Sequence, residues 1–261
     1  MGEVMLLSGL LAALATADLL RPSDARPTKQ QRTRSWFAGM AAVAVLGWGL
    51  GLSPWIALAG AIVLALWLLF TPVHRRSSWA LAGLAIVVVL TIFVFDPLRV
   101  PPTEAFPPNP FSNWYTSAAP DFLRGIAFGA FATAIAAFLF LLNSANFVVR
   151  IMVDLTGVEV ASDDPDVETT AATTGTTRAR KKVALKGGRF LGPIERIMIL
   201  ALGLAGQFGA IAAVVGAKSI IRYPEISKSN DGGKTAEYFL IGSGLSWGLA
   251  LLALAVSVLS R

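Results

Sequence analysis

The chain has 261 residues, of which 55% are hydrophobic and 15% charged, with no cysteine, one histidine and a formal net charge of +6. Soluble domains run at about 25% charged residues, so charge is too sparse here to coat a water-facing surface of this size. The lack of cysteine excludes disulfides, thiol nucleophiles and thiolate metal sites, and the single His74 leaves no histidine cluster for a metal.

Charge is clustered, and the segments between the clusters are long apolar runs. A membrane span needs roughly 20 apolar residues to cross about 30 Å of hydrocarbon. The first run is Val4–Leu20. A signal peptide carries positive charge before its apolar core, whereas here Glu3 precedes the run and Arg21, Arg26, Lys29, Arg32 and Arg34 follow it. That order predicts a retained helix with its N-terminus outside. Asp18, near the end of this run, is expected to reach the interface.

The second and third runs, Trp36–Leu52 and Trp55–Val73, are separated only by Ser53 and Pro54. So short a link predicts an antiparallel helical hairpin, with Pro54 in the first turn of the returning helix, where its missing N–H costs nothing. The fourth run is Trp79–Phe95. A Pro- and aromatic-rich stretch follows, Asp96–Pro120, with seven prolines and with Phe106, Phe111, Trp114 and Tyr115. Proline at that density predicts an extended loop, its aromatics lying on the bilayer or covering the outer mouth of the bundle.

The fifth run is Gly125–Val149. From Arg150 to Glu195 the chain turns polar, with an acidic block at Asp163–Glu168, a Thr/Ala tract and a basic block at Arg178–Lys182. Such a segment cannot bury enough apolar surface to fold and is expected to be disordered. The sixth and seventh runs are Ile197–Ala217 and Tyr238–Leu259. The predicted architecture is thus all-α, a polytopic transmembrane helix bundle of seven spans. Its regions are a four-span part with the Pro/aromatic loop (1–124), the fifth span (125–149), a charged cytoplasmic loop (150–195) and a C-terminal two-span hairpin (196–261).

Cytoplasmic loops carry an excess of Lys and Arg. Seven spans put 16 of the 22 basic residues on one side and 6 on the other. This predicts a multi-pass protein of the cell membrane with its N-terminus outside and its C-terminus in the cytoplasm. Lys218, Arg222, Lys228 and Lys234, in the sixth loop, go against the rule. Either they have a role there, or the sixth and seventh runs do not both cross. A pI near 10.0 would suggest nucleic acid in a soluble protein. Here the basic residues flank apolar runs and suit the lipid bilayer and its anionic headgroups, so no nucleic-acid partner is expected.

Helices in lipid associate through small residues and interhelical hydrogen bonds. Ala201, Ala205, Gly209, Ala213 and Ala217 form one small-residue stripe on the sixth run. The pairs Gly244/Gly248, Gly47/Gly51 and Gly125/Gly129 are shorter versions. Packing within the chain is the expected use, with homo-oligomerisation or another membrane protein as the alternative.

Polar groups inside the runs are few: Gln207 in the sixth, Asn143 and Asn146 in the fifth, Ser243 and Ser246 in the seventh. No charge lies at a span centre, which argues against a proton-relay pump or a voltage sensor. The densest polar chemistry flanks the last two runs. Lys218 and Arg222 are four residues apart and share a face if the sixth helix continues, with Glu225 within pairing distance of Arg222 and Glu237 at the start of the seventh. The candidate binding residues are therefore Gln207, Lys218, Arg222, Glu225, Glu237, Asn143 and Asn146. They serve either as an anion or headgroup site or as an interfacial cap of ion pairs. No metal-ligand spacing, phosphate loop or activated nucleophile is present, so no cofactor and no catalytic residue is expected.

The C-terminal part resembles an uncharacterised bacterial family of multi-pass membrane proteins over Gly187–Leu252. The resemblance rests on Gly192-Pro193-Ile194-Glu195-Arg196, on Gln207, on Ala217-Lys218-Ser219-Ile220-Ile221-Arg222 with Glu225, and on Glu237-Tyr238-Phe239-Leu240-Ile241-Gly242 with Ser246. Asn146–Arg150 extends it. It implies that the last helical hairpin is a recurring unit, and it supplies no activity. Three functions remain open. They are a non-enzymatic scaffold or complex subunit, a transporter, channel or lipid-handling protein, and an enzyme acting on a lipid phosphate through Glu225 and Glu237.

Overall fold

The computed structural model describes residues 2–21, 27–70, 109–123, 125–155, 188–227 and 232–259. Among these, all regular structure is helical and no strand forms. In chain order the helices are α1 (Gly2–Leu19), α2 (Lys29–Gly49), α3 (Pro54–Phe70), α4 (Pro110–Ala118), α5 (Phe128–Leu142), α6 (Ser144–Leu155), α7 (Gly188–Leu204), α8 (Phe208–Ser227) and α9 (Gly232–Leu259). A short 3-10 turn lies at Asp121–Leu123. The fourth run, the centre of the long polar loop and most of the Pro-rich stretch lie outside the described residues.

Helix α2 begins with a capping box. The Thr28 hydroxyl accepts from Gln31 N at 3.2 Å, and Gln31 Oε1 accepts from Thr28 N at 2.9 Å, so two donors at the helix start are satisfied reciprocally. The chain turns just past the helix at Gly51, whose φ is +65°. There Gly51 N donates to Trp48 O and Leu52 N donates to Gly47 O, the paired bonds of a Schellman turn. Pro54 then opens α3, and the expected hairpin forms. Helices α1 and α3 share an apolar core of Leu6, Leu10, Leu14, Ala17, Val63, Leu64, Trp67 and Leu68. At Gly39, on α2, a Cβ would lie 2.9 Å from Ala17 Cβ and 2.8 Å from Leu64 Cδ2. The three helices meet there because that side chain is missing.

The aromatic stretch is not wholly extended. Its prolines are absent between Pro110 and Pro120, and α4 forms in that gap. Pro110 occupies the first helical position, and Asn109 caps the helix, accepting from Ser112 N at 2.9 Å. The Phe111 ring covers Gly49, where any Cβ would collide with it. Tyr115 is buried, donates toward the carbonyls of Leu123 and Ile126, and packs on Phe128 and Phe131. These contacts set α4 against Gly49 at the end of α2 and against the start of α5.

Two apolar runs are not straight rods. The fifth breaks at Asn143, and α5 and α6 meet at 52°. The helix also runs on to Leu155, past the predicted end at Val149. The sixth run folds back on itself. Gly206 adopts φ +72°, with Gly206 N donating to Gly203 O and Gln207 N to Leu202 O, which is again a Schellman turn. An unbroken helix would separate Glu195 from Lys218 by roughly 35 Å, yet Lys218 Nζ lies 2.5 Å from Glu195 Oε2. Helices α7 and α8 are therefore antiparallel partners.

The contacts fix the remaining directions. Ser8 meets Thr133 and Asp18 meets Ser144, so α1 and α5 run parallel. Trp247 meets Glu195, and Leu254 lies against Gly203, so α7 and α9 also run parallel, with α8 returning between them in sequence. A second core of Ala137, Leu141, Ala145, Ile199, Leu200, Ala250 and Leu254 joins α5, α6, α7 and α9. Among the described residues one helix, through Phe239–Leu259, is long and apolar enough to cross a bilayer, and the bent pair α5–α6 adds a second only if taken as one span. Helix α3 is apolar throughout, but its 17 residues give only about 26 Å of length.

Candidate functional site

The buried charges of the described residues lie on either side of the break at Asn143. On one side, Asp18 is fully buried at the end of α1. Its Oδ2 accepts from Trp67 Nε1 at 2.9 Å and from Ser144 Oγ at 2.6 Å, and its Oδ1 is 3.5 Å from Arg21 Nη2. The Arg21 guanidinium sits 4.4 Å from the centre of the Phe147 ring, a cation–π arrangement. The sequence placed Asp18 at the interface. It is drawn inward because α3 and α6 present an indole N–H and a hydroxyl to it.

On the other side, Glu195 and Arg196 are buried in α7, 4% and 2% exposed. Glu195 accepts from Trp247 Nε1 at 2.6 Å through one oxygen and pairs with Lys218 through the other. The Lys218 ammonium lies 5.4 Å from the Trp247 ring centre and 5.9 Å from that of Phe239. Arg196 donates to Asn146 Oδ1 and, at 3.2 Å, to the Gly192 carbonyl. Its Nη1 is buried with no hydrogen-bond partner among the described residues.

The break itself joins the two sides. Asn143 donates its side-chain amide to the carbonyls of Asp18 and Arg21 at the end of α1, where Asp18 O also accepts from Arg21 N. Ser144 binds Asp18, and Asn146 binds Arg196. Three polar residues within four positions thus connect α1 to α7. A straight helix would spread them around its circumference. The bend directs them to two different neighbours.

The predicted site residues do not converge. Gln207 is exposed and sits in the turn between α7 and α8, not in the middle of a span. It is remote in role from Asn143 and Asn146, which are engaged as above. Glu237 is exposed and is the sixth residue of α9, past the first turn, where the helix dipole would favour it. Lys218 pairs with Glu195. The side chains of Arg222 and Glu225 lie outside the described residues. The small-residue faces also differ from expectation. Ala201, Ala205, Gly209, Ala213 and Ala217 are split by the turn and all exposed, as are Gly244 and Gly248. Gly203 supplies the close approach instead, against Leu254. Ser243 and Ser246 are buried.

The sequence reading omitted Asp18, Arg21, Trp67, Ser144, Glu195, Arg196 and Trp247 from the site. The i, i+3 spacing of Asp18 and Arg21 was a visible signal for a local pair. Nothing in the spacing announced the Glu195–Lys218 pair, because it depends on the hidden turn. Chemically, Asp18 and Arg21 form one ion pair and Glu195 and Lys218 another, while Arg196 is held by neutral acceptors. Ser144 faces a carboxylate with no histidine between them, and no group of three or more His, Asp or Glu residues able to hold a metal occurs among the described residues. Comparison with known proteins finds no matching protein family, curated protein or solved structure.

Proposed function

We propose that this chain is a multi-pass integral protein of the cell membrane and acts there as a non-enzymatic scaffold or complex subunit. The exposed surface supports the membrane part. Only 22% of the apolar window in α9 is buried, so α9 is not the core helix of a soluble protein. On α3, Trp55 is 79% exposed, and Leu58, Ile62 and Leu69 are each more than half exposed. Contiguous apolar surface of this kind is rare on soluble monomers and ordinary in lipid. Shorter helices such as α3 fit a bilayer by local thinning.

The observation that carries the scaffold reading is exposed small-residue surface: Ala201 and Ala205 on α7, Gly209, Ala213 and Ala217 on α8, and Gly244 and Gly248 on α9. Small residues permit close backbone contact between membrane helices, and among the described residues these stay uncovered. The engagement of the polar residues also favours this reading over transport: Asp18 pairs with Arg21, Glu195 with Lys218, Asn143 bonds the end of α1 and Asn146 bonds Arg196, while Gln207 stands apart in an exposed turn. Extraction in a mild detergent, followed by mass measurement, tests the proposal. A second membrane protein or a second copy should co-elute with the wild type, and Gly244→Leu with Gly248→Leu should release it. A monomer in both cases overturns the reading.

The topology follows the same logic. With α7–α8 as a hairpin, Lys218, Arg222, Lys228 and Lys234 join the basic side, and only Arg99, Arg124 and Arg261 of the 22 basic residues remain on the other. Both termini then lie outside, with the anionic headgroups of the inner leaflet facing the basic loops. The chain lacks cysteine, so one cysteine added after Arg261 is a clean probe. An impermeant maleimide should label it in intact cells. Labelling only after lysis restores the cytoplasmic C-terminus of the simple seven-span scheme.

A further inference from the structure

A cavity of about 490 Å³ lies between α1, α2, α4 and α5. Its floor is made of small residues, Ser8, Gly9 and Ala12 on α1 with Ala132 and Ala136 on α5. Its walls are Leu46 and Leu50 on α2, Phe111 and Trp114 on α4, and Phe128, Phe131 and Ile135 on α5. The space exists because α1 and α5 approach each other through small side chains, while α4 holds its aromatics above the gap they leave. A smaller void of about 30 Å³ shares Gly9 and Leu46 with it and extends toward α3.

We infer that this cavity holds one acyl chain of a membrane phospholipid. The inference goes beyond the scaffold reading and rests only on its membrane part. Three observations support it. First, the lining offers no free polar group. The Ser8 hydroxyl is bound to Thr133 at 2.8 Å, and Thr133 in turn donates to the Gly129 carbonyl at 2.7 Å. Apolar cavities of this kind stay dry, so neither water nor a polar solute fills it.

Second, the size fits. A space of about 490 Å³ lies within the roughly 300–1,000 Å³ of pockets that take small apolar ligands, large enough for a stretch of acyl chain. Third, the opening faces sideways. Ile135 stands at the middle of α5 and is 46% exposed, and Trp114 is 56% exposed. With α5 in lipid, mid-helix is hydrocarbon, so the entrance meets acyl chains and not headgroups. An empty space there would forfeit dispersion contacts on every wall, and neighbouring lipid is present at high concentration to supply them. The headgroup stays outside, near the end of the bundle covered by α4.

Native mass spectrometry of the full chain, released from dioleoylphosphatidylglycerol nanodiscs, tests this. The wild type should retain one lipid per chain after others are stripped. Ala132→Phe and Ala12→Leu each project into the cavity and should lose that lipid, with helical content by circular dichroism unchanged. In bilayers whose acyl chains carry bromine, Trp114 should be quenched strongly. The quenched fraction should therefore fall in Trp114→Phe. Retention of the lipid in a folded cavity-filling variant overturns the inference, as does absence of both bound lipid and Trp114 quenching in the wild type. If Ala132→Phe fails to fold, Ala12→Leu and the bromine measurement decide. Failure of the membrane reading would look different, since the wild type would then stay in aqueous buffer without detergent.

Discussion

The α2–α3 and α7–α8 hairpins turn through the same device, a left-handed glycine closing a Schellman motif at Gly51 and at Gly206. Their surroundings differ. After Gly51 come Leu52, Ser53 and Pro54, and the two arms pack closely, with a Cβ at Gly47 falling 3.3 Å from Ala57. Around Gly206 there is open space. Farther from the turn, Ile211 and Val215 of α8 pack on the core that holds Ile199 and Leu200 of α7, and Glu195 pairs with Lys218. The first hairpin is close-packed beside its turn, and the second adds a buried charged link at its far end. The local backbone chemistry of a turn therefore says little about what keeps its arms together.

The comparison can be broken most forcefully at the charged link. Glu195→Ala leaves the Lys218 ammonium without its carboxylate. We expect a loss of about 3 kcal/mol, the low end for a broken buried pair, because Lys218 remains 18% exposed. Thermal unfolding in detergent micelles measures it. Adding Lys218→Met to Glu195→Gln should recover most of the loss, and a double variant as unstable as Glu195→Ala would show that the link is not the cause. The corresponding test of the first hairpin is steric. Gly39→Val should cost about 1–3 kcal/mol through overpacking against Ala17 and Leu64, and the same melt should leave α7–α8 contacts unaffected, as read from fluorescence of Trp247.

The smallest effect sharpens the likeness between the two turns. Gly51→Ala and Gly206→Ala should each cost about 1–2 kcal/mol for a left-handed residue with a Cβ. Gly51→Ala should be slightly the worse, since Asn109 Cβ stands 3.4 Å away, while nothing lies within 4 Å of the added atom at Gly206. Equal melts for Gly206→Ala and the wild type would mean that the turn at 205–207 is not populated.

These differences also explain what was legible beforehand. The helical class followed from uninterrupted apolar runs, and the turn at Ser53–Pro54 followed from a proline where a helix can begin. At Gly206 the signal was weaker: Gly203, Gly206 and Gly209 could permit a broken helix, but apolar residues continue on both sides and nothing distinguishes the one glycine that takes a positive φ. Lys218 and Glu195 were therefore assigned to opposite ends of one rod, and their pairing was invisible. Asn143 and Asn146 were identified as polar residues in an apolar run, but their partners depend on a 52° bend that no proline signals. Helix α4 was missed for the opposite reason, because seven prolines across Asp96–Pro120 concealed a nine-residue window free of them after Pro110.

The link between Glu195 and Lys218 also constrains how such a chain can be made. Synthesis runs from the N-terminus, so the carboxylate of α7 emerges while its ammonium is still 23 positions away from being added. Until then the Glu195 carboxylate of α7 lacks its partner. If α7 and α8 sit in lipid as proposed above, a buried carboxylate is costly there, and the stable entry of α7 would wait for α8; a ribosome that stalls between them would leave α7 waiting at the surface.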